Sequence, residues 1–211
     1  MRSALLILAC LPAACATTAG PPPVLGSARV VSDIDSYSLR RIGLLPLEGM
    51  DPTLAESREM AMVLGAEFAA RTGLEVLVMQ PSDLTEVTHL EPHRLGRFEI
   101  ATVIELGRRH RLDALLVPSL IERRGYPPQR LTLQVDLVST ETGMSLWFGQ
   151  VQADAGEGRT QEAVEYWVES ENGERGCDWQ VVLLSPKRFY RFVCHQLLAR
   201  FQPNENPNPL P

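Results

Sequence analysis

The sequence predicts a single α/β (α+β) domain built on a mixed β-sheet, in two or three layers. Up to residue 120, short apolar runs alternate with segments of helical periodicity. A β-hairpin with one apolar face follows, and an amphipathic helix closes the folded part. Strand–helix alternation followed by antiparallel strands implies the element order β-α-β-α-β-hairpin-α.

The alternating half of the chain contains three strands and two helices. Apolar runs at 41–47, 74–79 and 113–120 are typical of buried strands. Residues 54–71 and 99–111 place apolar side chains on one side of a helix. The second helix ends in arginines, which suit the negative end of the helix dipole.

The second half is dominated by the hairpin. Apolar and polar residues alternate over 131–137 and 144–148, with turn-forming residues between them. Residues 179–184 predict a further strand. The closing helix is expected over 187–201, because its aromatic and aliphatic residues recur at helical spacing and Pro186 suits a helix start.

Residues 1–15 predict a signal peptide with a lipobox-like end. A positive start is followed by about 11 apolar residues, too few for a mature membrane-spanning helix. Small residues directly precede Cys15, which would become the lipidated first residue of the mature protein. A lipobox usually has an apolar residue three positions before the cysteine, and here that residue is Pro12. The alternative is an ordinary secretory peptide cleaved near Ala14 or Ala19.

The remaining boundaries follow from composition. Residues 16–38 are expected to be a Pro-rich tether, 39–201 the mixed α/β domain, and 202–211 a disordered tail. Within the domain, the acidic insertion 154–178 holds eight acidic and two basic residues. Its formal charge therefore equals the −6 of the whole 211-residue chain.

The acidic insertion has two interpretations: a contact surface for a partner, or a solvated loop that keeps the protein soluble. As possible partner contacts we name Glu165 and Glu169, together with Trp147 and Trp167, because large exposed aromatics anchor interfaces. Trp147 falls on the polar phase of its strand. The alternative is that Trp147 is covered by Trp167 or by the last helix.

Two cysteines follow the signal peptide, Cys177 and Cys194. In an oxidising compartment a disulfide between them would stabilise the fold by about 3 kcal/mol in the chain-entropy model. The alternative is two free thiols, with Cys194 buried on a helix face.

Motifs of catalysis are missing from the sequence. His89 and His93 flank a glutamate, but they do not form His-Glu-x-x-His, and Pro92 disfavours a helix through the pair. There is no Gly-x-Ser-x-Gly elbow and no Gly-rich phosphate loop. We therefore predict no catalytic residue, metal site or cofactor.

Six arginines cluster around the third strand. They are Arg108, Arg109, Arg111, Arg123, Arg124 and Arg130. Because no aromatics are interleaved and the chain carries an export signal, ion pairing with the acidic insertion explains them more simply than nucleic-acid binding.

Three segments resemble a known group of proteins. They are Arg41-Ile42-Gly43-Leu44-Leu45-Pro46-Leu47, residues 105–117, and 135–147 with its Thr142-Gly143-x-x-x-Trp147 pattern. In order and spacing they resemble the bacterial envelope lipoproteins with a CsgG-like or TolB-N-terminal-like α/β domain. The resemblance covers roughly residues 40–152 and the last helix.

The resemblance implies a non-enzymatic accessory protein of secretion, export or wall synthesis. Such a protein would be periplasmic, tethered to the membrane by lipid at Cys15, and would bind another envelope protein or itself. The insertion 154–178 is acidic and broken by glycines, so it lacks the pattern of membrane-spanning β-strands. Two alternatives stay open: an exported hydrolase using His89 and His93, and a small-ligand-binding module with an apolar pocket at the carboxyl edge of the sheet.

Overall fold

The computed structural model describes residues 23–50, 54–85, 93–94, 97–170 and 178–201. A six-stranded mixed sheet has the order β1-β8-β7-β6-β2-β3. Its strands are β1 (Gly26–Val30), β2 (Arg41–Leu44), β3 (Glu75–Val78), β6 (Ala114–Arg124), β7 (Arg130–Ser139) and β8 (Ser145–Asp154). A separate short pair is formed by β4 (His93–Arg94) and β5 (Arg97–Phe98).

The helices fill the two sides of this sheet. They are α1 (Ala55–Thr72), α2 (Pro81–Thr85), α3 (Ile100–His110), α4 (Gly158–Glu169), α5 (Trp179–Leu184) and α6 (Pro186–Leu198), with a 3₁₀ turn at Ile34–Ser36. The strand–helix order and the mixed sheet confirm the predicted fold class.

Strand direction divides the sheet into two parts. β2 is parallel to β3 and β6, whereas β6, β7 and β8 form an antiparallel meander. In the meander Leu133 lies opposite Leu120 on one side and Val151 on the other, so their side chains share one apolar face.

β1 forms one edge of the sheet and pairs antiparallel with β8. It lies inside the range 16–38 that we expected to be tether, so the folded part begins earlier in the chain. Its exposed Ser27 and Arg29 alternate with half-buried Ala28 and Val30, which is the pattern of an edge strand with one face on the core.

Two separate cores give the domain three layers. On one face the sheet packs against α1, α4 and α6, through residues such as Leu64, Trp167 and Phe192. On the other face α3 contributes Val103 and Leu106 to a smaller core. No described helix has the length and apolar composition needed to cross a bilayer.

Residues 179–184 form α5 rather than the strand we expected. The carboxylate of Asp178 accepts a hydrogen bond from the backbone N–H of Gln180 at 3.0 Å. This N-cap satisfies a backbone donor that the first helical turn leaves free. A run of four apolar residues therefore becomes a helical turn, of which only Val182 is fully buried.

A β-bulge explains why Trp147 is not on the polar face. The β7–β8 register shifts between Leu137 and Val138, so Leu137 lies opposite Trp147 while Val138 lies opposite Ser145. A bulge changes which face the following residues occupy. Trp147 therefore points at the helices, and Phe148 lies on the opposite face of the sheet.

Candidate functional site

Both tryptophans that we named as possible contacts are core residues. Trp147 is 1% exposed and packs edge-on against Phe201, with ring centroids 5.2 Å apart. Trp167 is 2% exposed and packs against Phe192 at 5.7 Å. Neither side chain is accessible to a partner. Of the four predicted contact residues, Glu165 and Glu169 remain candidates.

Those acidic residues lie on α4, whose two sides differ sharply. The buried side faces the core through Ala163, Val164, Trp167 and Val168. The outer side carries Glu162, Glu165, Tyr166 and Glu169, which we call the acidic ridge; all four are exposed. Tyr166 is 48% exposed and lies between the carboxylates.

The carboxylates of the acidic ridge form no hydrogen bond or ion pair with the described part of the chain. Because the side of α4 that faces the core is fully packed, the position of the ridge is fixed. The ridge therefore presents three carboxylates that have no ion pair with the described chain, together with one aromatic ring, at a defined place on the surface.

The insertion does engage one arginine of the predicted basic cluster. Arg130 Nε donates to Asp154 Oδ2 at 2.5 Å, and the N–H of Gly156 donates to Asp154 Oδ1 at 2.8 Å. Burial alone would raise the pKa of Asp154, but these two donors together outweigh it and lower that pKa. Arg108 and Arg123 are instead paired with Glu105 and Glu56, outside the insertion.

A cleft of about 350 Å³ lies at the sheet end where β6 stops and β7 begins. Its apolar surface comes from Met60 and Val63 of α1, Leu131 of β7, and Phe189 and Tyr190 of α6. This end is the carboxyl edge of the parallel strands β2 and β6, where we expected a pocket for the ligand-binding alternative.

Charged pairs line the rim of this cleft. Lys187 of α6 is paired with Glu59 of α1, and Arg123 of β6 is paired with Glu56 of α1. Lys187 is the one lysine of the chain. Because these pairs are partly exposed, each stabilises the fold by no more than about 1 kcal/mol.

Two potentially reactive side chains of α6, Cys194 and Tyr190, are both buried. Cys194 is fully buried on α6, and burial raises the pKa of its thiol, opposed in part by the nearby hydroxyl of Tyr190. Burial also raises the pKa of Tyr190. No group of three or more metal-ligating side chains occurs among the residues that the structure describes.

Several predicted site residues lie outside the described residues. These are Cys15, Cys177, His89 and the side chain of His93. The lipidation, the Cys177–Cys194 bond and the histidine hypothesis therefore stay predictions.

Sequence reasoning named Glu165 and Glu169 but missed Tyr166 and Glu162 as part of the same surface. The signal was available: residues 162, 166 and 169 recur at helical spacing, opposite the apolar Val164 and Trp167. No short sequence pattern reveals the cleft, because the elements that line it, α1, β7 and α6, are far apart in the chain.

No protein-family model matches the chain, and no curated protein matches it either. Among solved structures, it is similar to the PelC dodecamer from Paraburkholderia phytofirmans, with 8% identity over 84% of this chain and 97% of that chain and a TM-score of 0.48. It is also similar to the lipoprotein GNA1162 from Neisseria meningitidis, with 14% identity over 54% of this chain and 79% of that chain and a TM-score of 0.39.

A further similarity is to TolB from Acinetobacter baumannii, with 8% identity over 68% of this chain and 29% of that chain and a TM-score of 0.33. At these identities and TM-scores, none of the three assigns a family or a function to the chain.

Proposed function

We propose that this protein is a non-enzymatic, membrane-tethered accessory of the bacterial envelope, which binds another envelope component through the acidic ridge. One observation carries the proposal: Glu162, Glu165 and Glu169 are exposed and without ion pairs in the described chain, beside the half-exposed Tyr166. Exposed aromatic residues such as tyrosine are enriched in protein–protein contacts, and carboxylates around them fit the polar rim of a contact with a positively charged partner surface.

The start of the described chain agrees with this role. The guanidinium of Arg159, in the first turn of α4, donates to the carbonyl of Val24 at 2.5 Å. The described chain therefore begins beside the start of α4, and a tether from Cys15 would join the domain there. From there the ridge extends along a helix about 18 Å long. A partner in the periplasm could reach the ridge while lipid at Cys15 holds the domain at the membrane.

Anchoring is tested by Cys15→Ser. We expect the variant to leave the membrane fraction, because its lipidated residue is lost, and Cys10→Ser to stay there as the matched control. Retention of Cys15→Ser in the membrane fraction would reject lipidation at Cys15.

Binding through the ridge is tested by placing a photo-crosslinking amino acid at Tyr166 in the full chain in cells. The matched control places the same group at Met62, which is 64% exposed on α1. We expect a discrete envelope-protein adduct from position 166 that is missing from position 62. Equal adducts from both positions, or none from position 166, would contradict the proposed role of the ridge.

The cleft favours a second candidate function, binding of a small apolar ligand. Its volume of about 350 Å³ is within the range of ligand pockets. Because Lys187 is the one lysine and lies on the rim, a bound ligand would slow its modification by an amine-reactive reagent. We expect octanoate to protect Lys187 in the purified protein; unchanged labelling at saturating octanoate would count against this candidate.

A further inference from the structure

We propose that the partner of the acidic ridge is a second copy of this chain, which receives the ridge on the exposed side of α3. This inference rests on the proposed function, since it names the component that the ridge binds. It identifies the contact as head-to-tail, with a different surface used on each copy.

The receiving surface lies at the C-terminal end of α3. Ile104 and Arg108 lie one turn apart on the helix, Arg111 follows as its left-handed C-cap (φ 54°), and all three are exposed. Ile100, one helical turn before Ile104, extends this surface and is 53% exposed. We call these four residues the α3 stripe. It offers two cations next to an apolar surface.

Both cations of the α3 stripe are available to a partner. Arg111 has no ion pair with the part of the chain that is described. Within the residues that the structure describes, Arg108 pairs with Glu105 alone, one helical turn before it, and its side chain is 79% exposed. A pair of that kind contributes about 0.2–0.5 kcal/mol, so it exchanges readily for a better partner.

The two surfaces match in charge. The ridge carries three carboxylates, Glu162, Glu165 and Glu169, on either side of Tyr166. The α3 stripe carries two guanidinium groups beside two exposed isoleucines. A contact between the two surfaces would therefore bring together opposite charges and apolar area.

The fold prevents these surfaces from meeting within one chain. α4 packs with the larger core on one face of the sheet, whereas α3 packs with the smaller core on the opposite face. Complementary surfaces on opposite faces of a rigid domain can be satisfied only between copies. Such contacts are heterologous, and they build rings or open filaments.

A charge swap in cells tests the inference with the full chain. Two copies carrying different affinity tags are co-expressed, and co-purification in detergent is measured. Glu165→Arg with Glu169→Arg reverses the ridge, and Arg108→Glu with Arg111→Glu reverses the stripe. Each double variant paired with itself places like charges opposite each other. We expect its co-purification to fall at least about tenfold, which corresponds to about 1.4 kcal/mol.

Co-expression of the two double variants is the decisive arm. Every contact between the two different variants then joins opposite charges again, so their co-purification with each other should return to at least half of the wild-type level. The matched control is Arg58→Glu, a reversal of an exposed α1 arginine that lies in neither surface, and it should leave co-purification unchanged. Thermal unfolding of each variant checks that the domain stays folded.

Two results would overturn the inference: wild-type copies that do not co-purify, or double variants that do not restore each other. Neither result bears on the anchoring test at Cys15. If the crosslinker at Tyr166 captures a different envelope protein while wild-type copies stay separate, the proposed function survives and the self-contact is rejected.

Discussion

The indole of Trp147 occupies the space above Gly149 in β8. A Cβ carbon at position 149 would lie 2.4 Å from Trp147 Cη2 and 2.8 Å from Leu197 Cδ1. The strand, the tryptophan and α6 are therefore in contact at a place where only a hydrogen atom fits. This contact depends on the bulge that turns Trp147 towards the helices.

Gly149→Ala should lower the free energy of unfolding by about 1–3 kcal/mol, because the added methyl group displaces either Trp147 or α6. Urea unfolding measures the change. Gly158→Ala is the matched control, since no heavy atom lies within 4 Å of its Cβ position. We expect the control to be neutral or slightly stabilising at the start of α4. Equal effects of the two substitutions would contradict this packing arrangement.

Asp154→Asn should destabilise the fold at pH 7 by about 1 kcal/mol, because it weakens the partly buried hydrogen bonds to Arg130 and Gly156. The pKa of Asp154 is lowered on folding. Its contribution is therefore complete above the pKa of the unfolded carboxyl, about 3.9. The contribution is lost as the pH falls through the lower folded value.

The wild type should consequently lose more stability than Asp154→Asn between pH 5 and pH 2. Urea midpoints across this range measure the difference. Glu165→Gln, an exposed carboxylate without an ion pair in the described chain, is the control and should follow the wild type. Parallel curves for wild type and Asp154→Asn would reject the role assigned to this carboxylate.

Cys194 should resist alkylation in the native protein whether or not it is bonded to Cys177. Its side chain is fully buried, and burial raises the pKa of the thiol, so little thiolate meets the reagent. Native alkylation therefore cannot test the predicted disulfide. The informative measurement is alkylation after denaturation without reductant, followed by mass analysis.

We expect neither cysteine to react in the denatured, unreduced protein, and both to react once a reductant is added. Modification of both cysteines before reduction would show that the Cys177–Cys194 bond is not formed. Rapid native alkylation of Cys194 would contradict its burial.

Periodicity was sufficient to predict most of the fold. The hairpin, the closing helix and the two α/β units each bury a continuous apolar face, and residues such as Leu64 or Leu133 reveal that face without any long-range knowledge. Periodicity predicts the wrong element where a local hydrogen bond determines the backbone conformation. The N-cap at Asp178 makes residues 179–184 the helix α5, although their apolar pattern predicts a strand.

The site was less predictable because it depends on contacts between distant segments. One extra residue in the β7–β8 ladder decides whether Trp147 faces solvent or core, and no pattern inside β8 records it. Likewise, the sequence shows that Glu165 is acidic but not that it has no ion pair with the described chain. That property depends on the fold, which places the exposed arginines at the end of α3 on the face of the sheet opposite α4.

His195 provides a pH-dependent test of how α4 packs on α6. Its ring lies against Trp167 with centroids 6.0 Å apart, and burial lowers the pKa of the imidazole; Glu67 opposes this shift, while Arg71 and Arg191 add to it. A base whose pKa is lower in the folded state binds fewer protons there than in the unfolded chain, where the pKa is about 6.5. Stability should therefore fall as the pH drops below that value.

We expect His195→Gln to remove part of this loss between pH 7.5 and pH 5, as measured by urea unfolding at both values. An equal loss in wild type and variant would mean that the imidazole titrates as it does in solvent, and that α4 does not cover it.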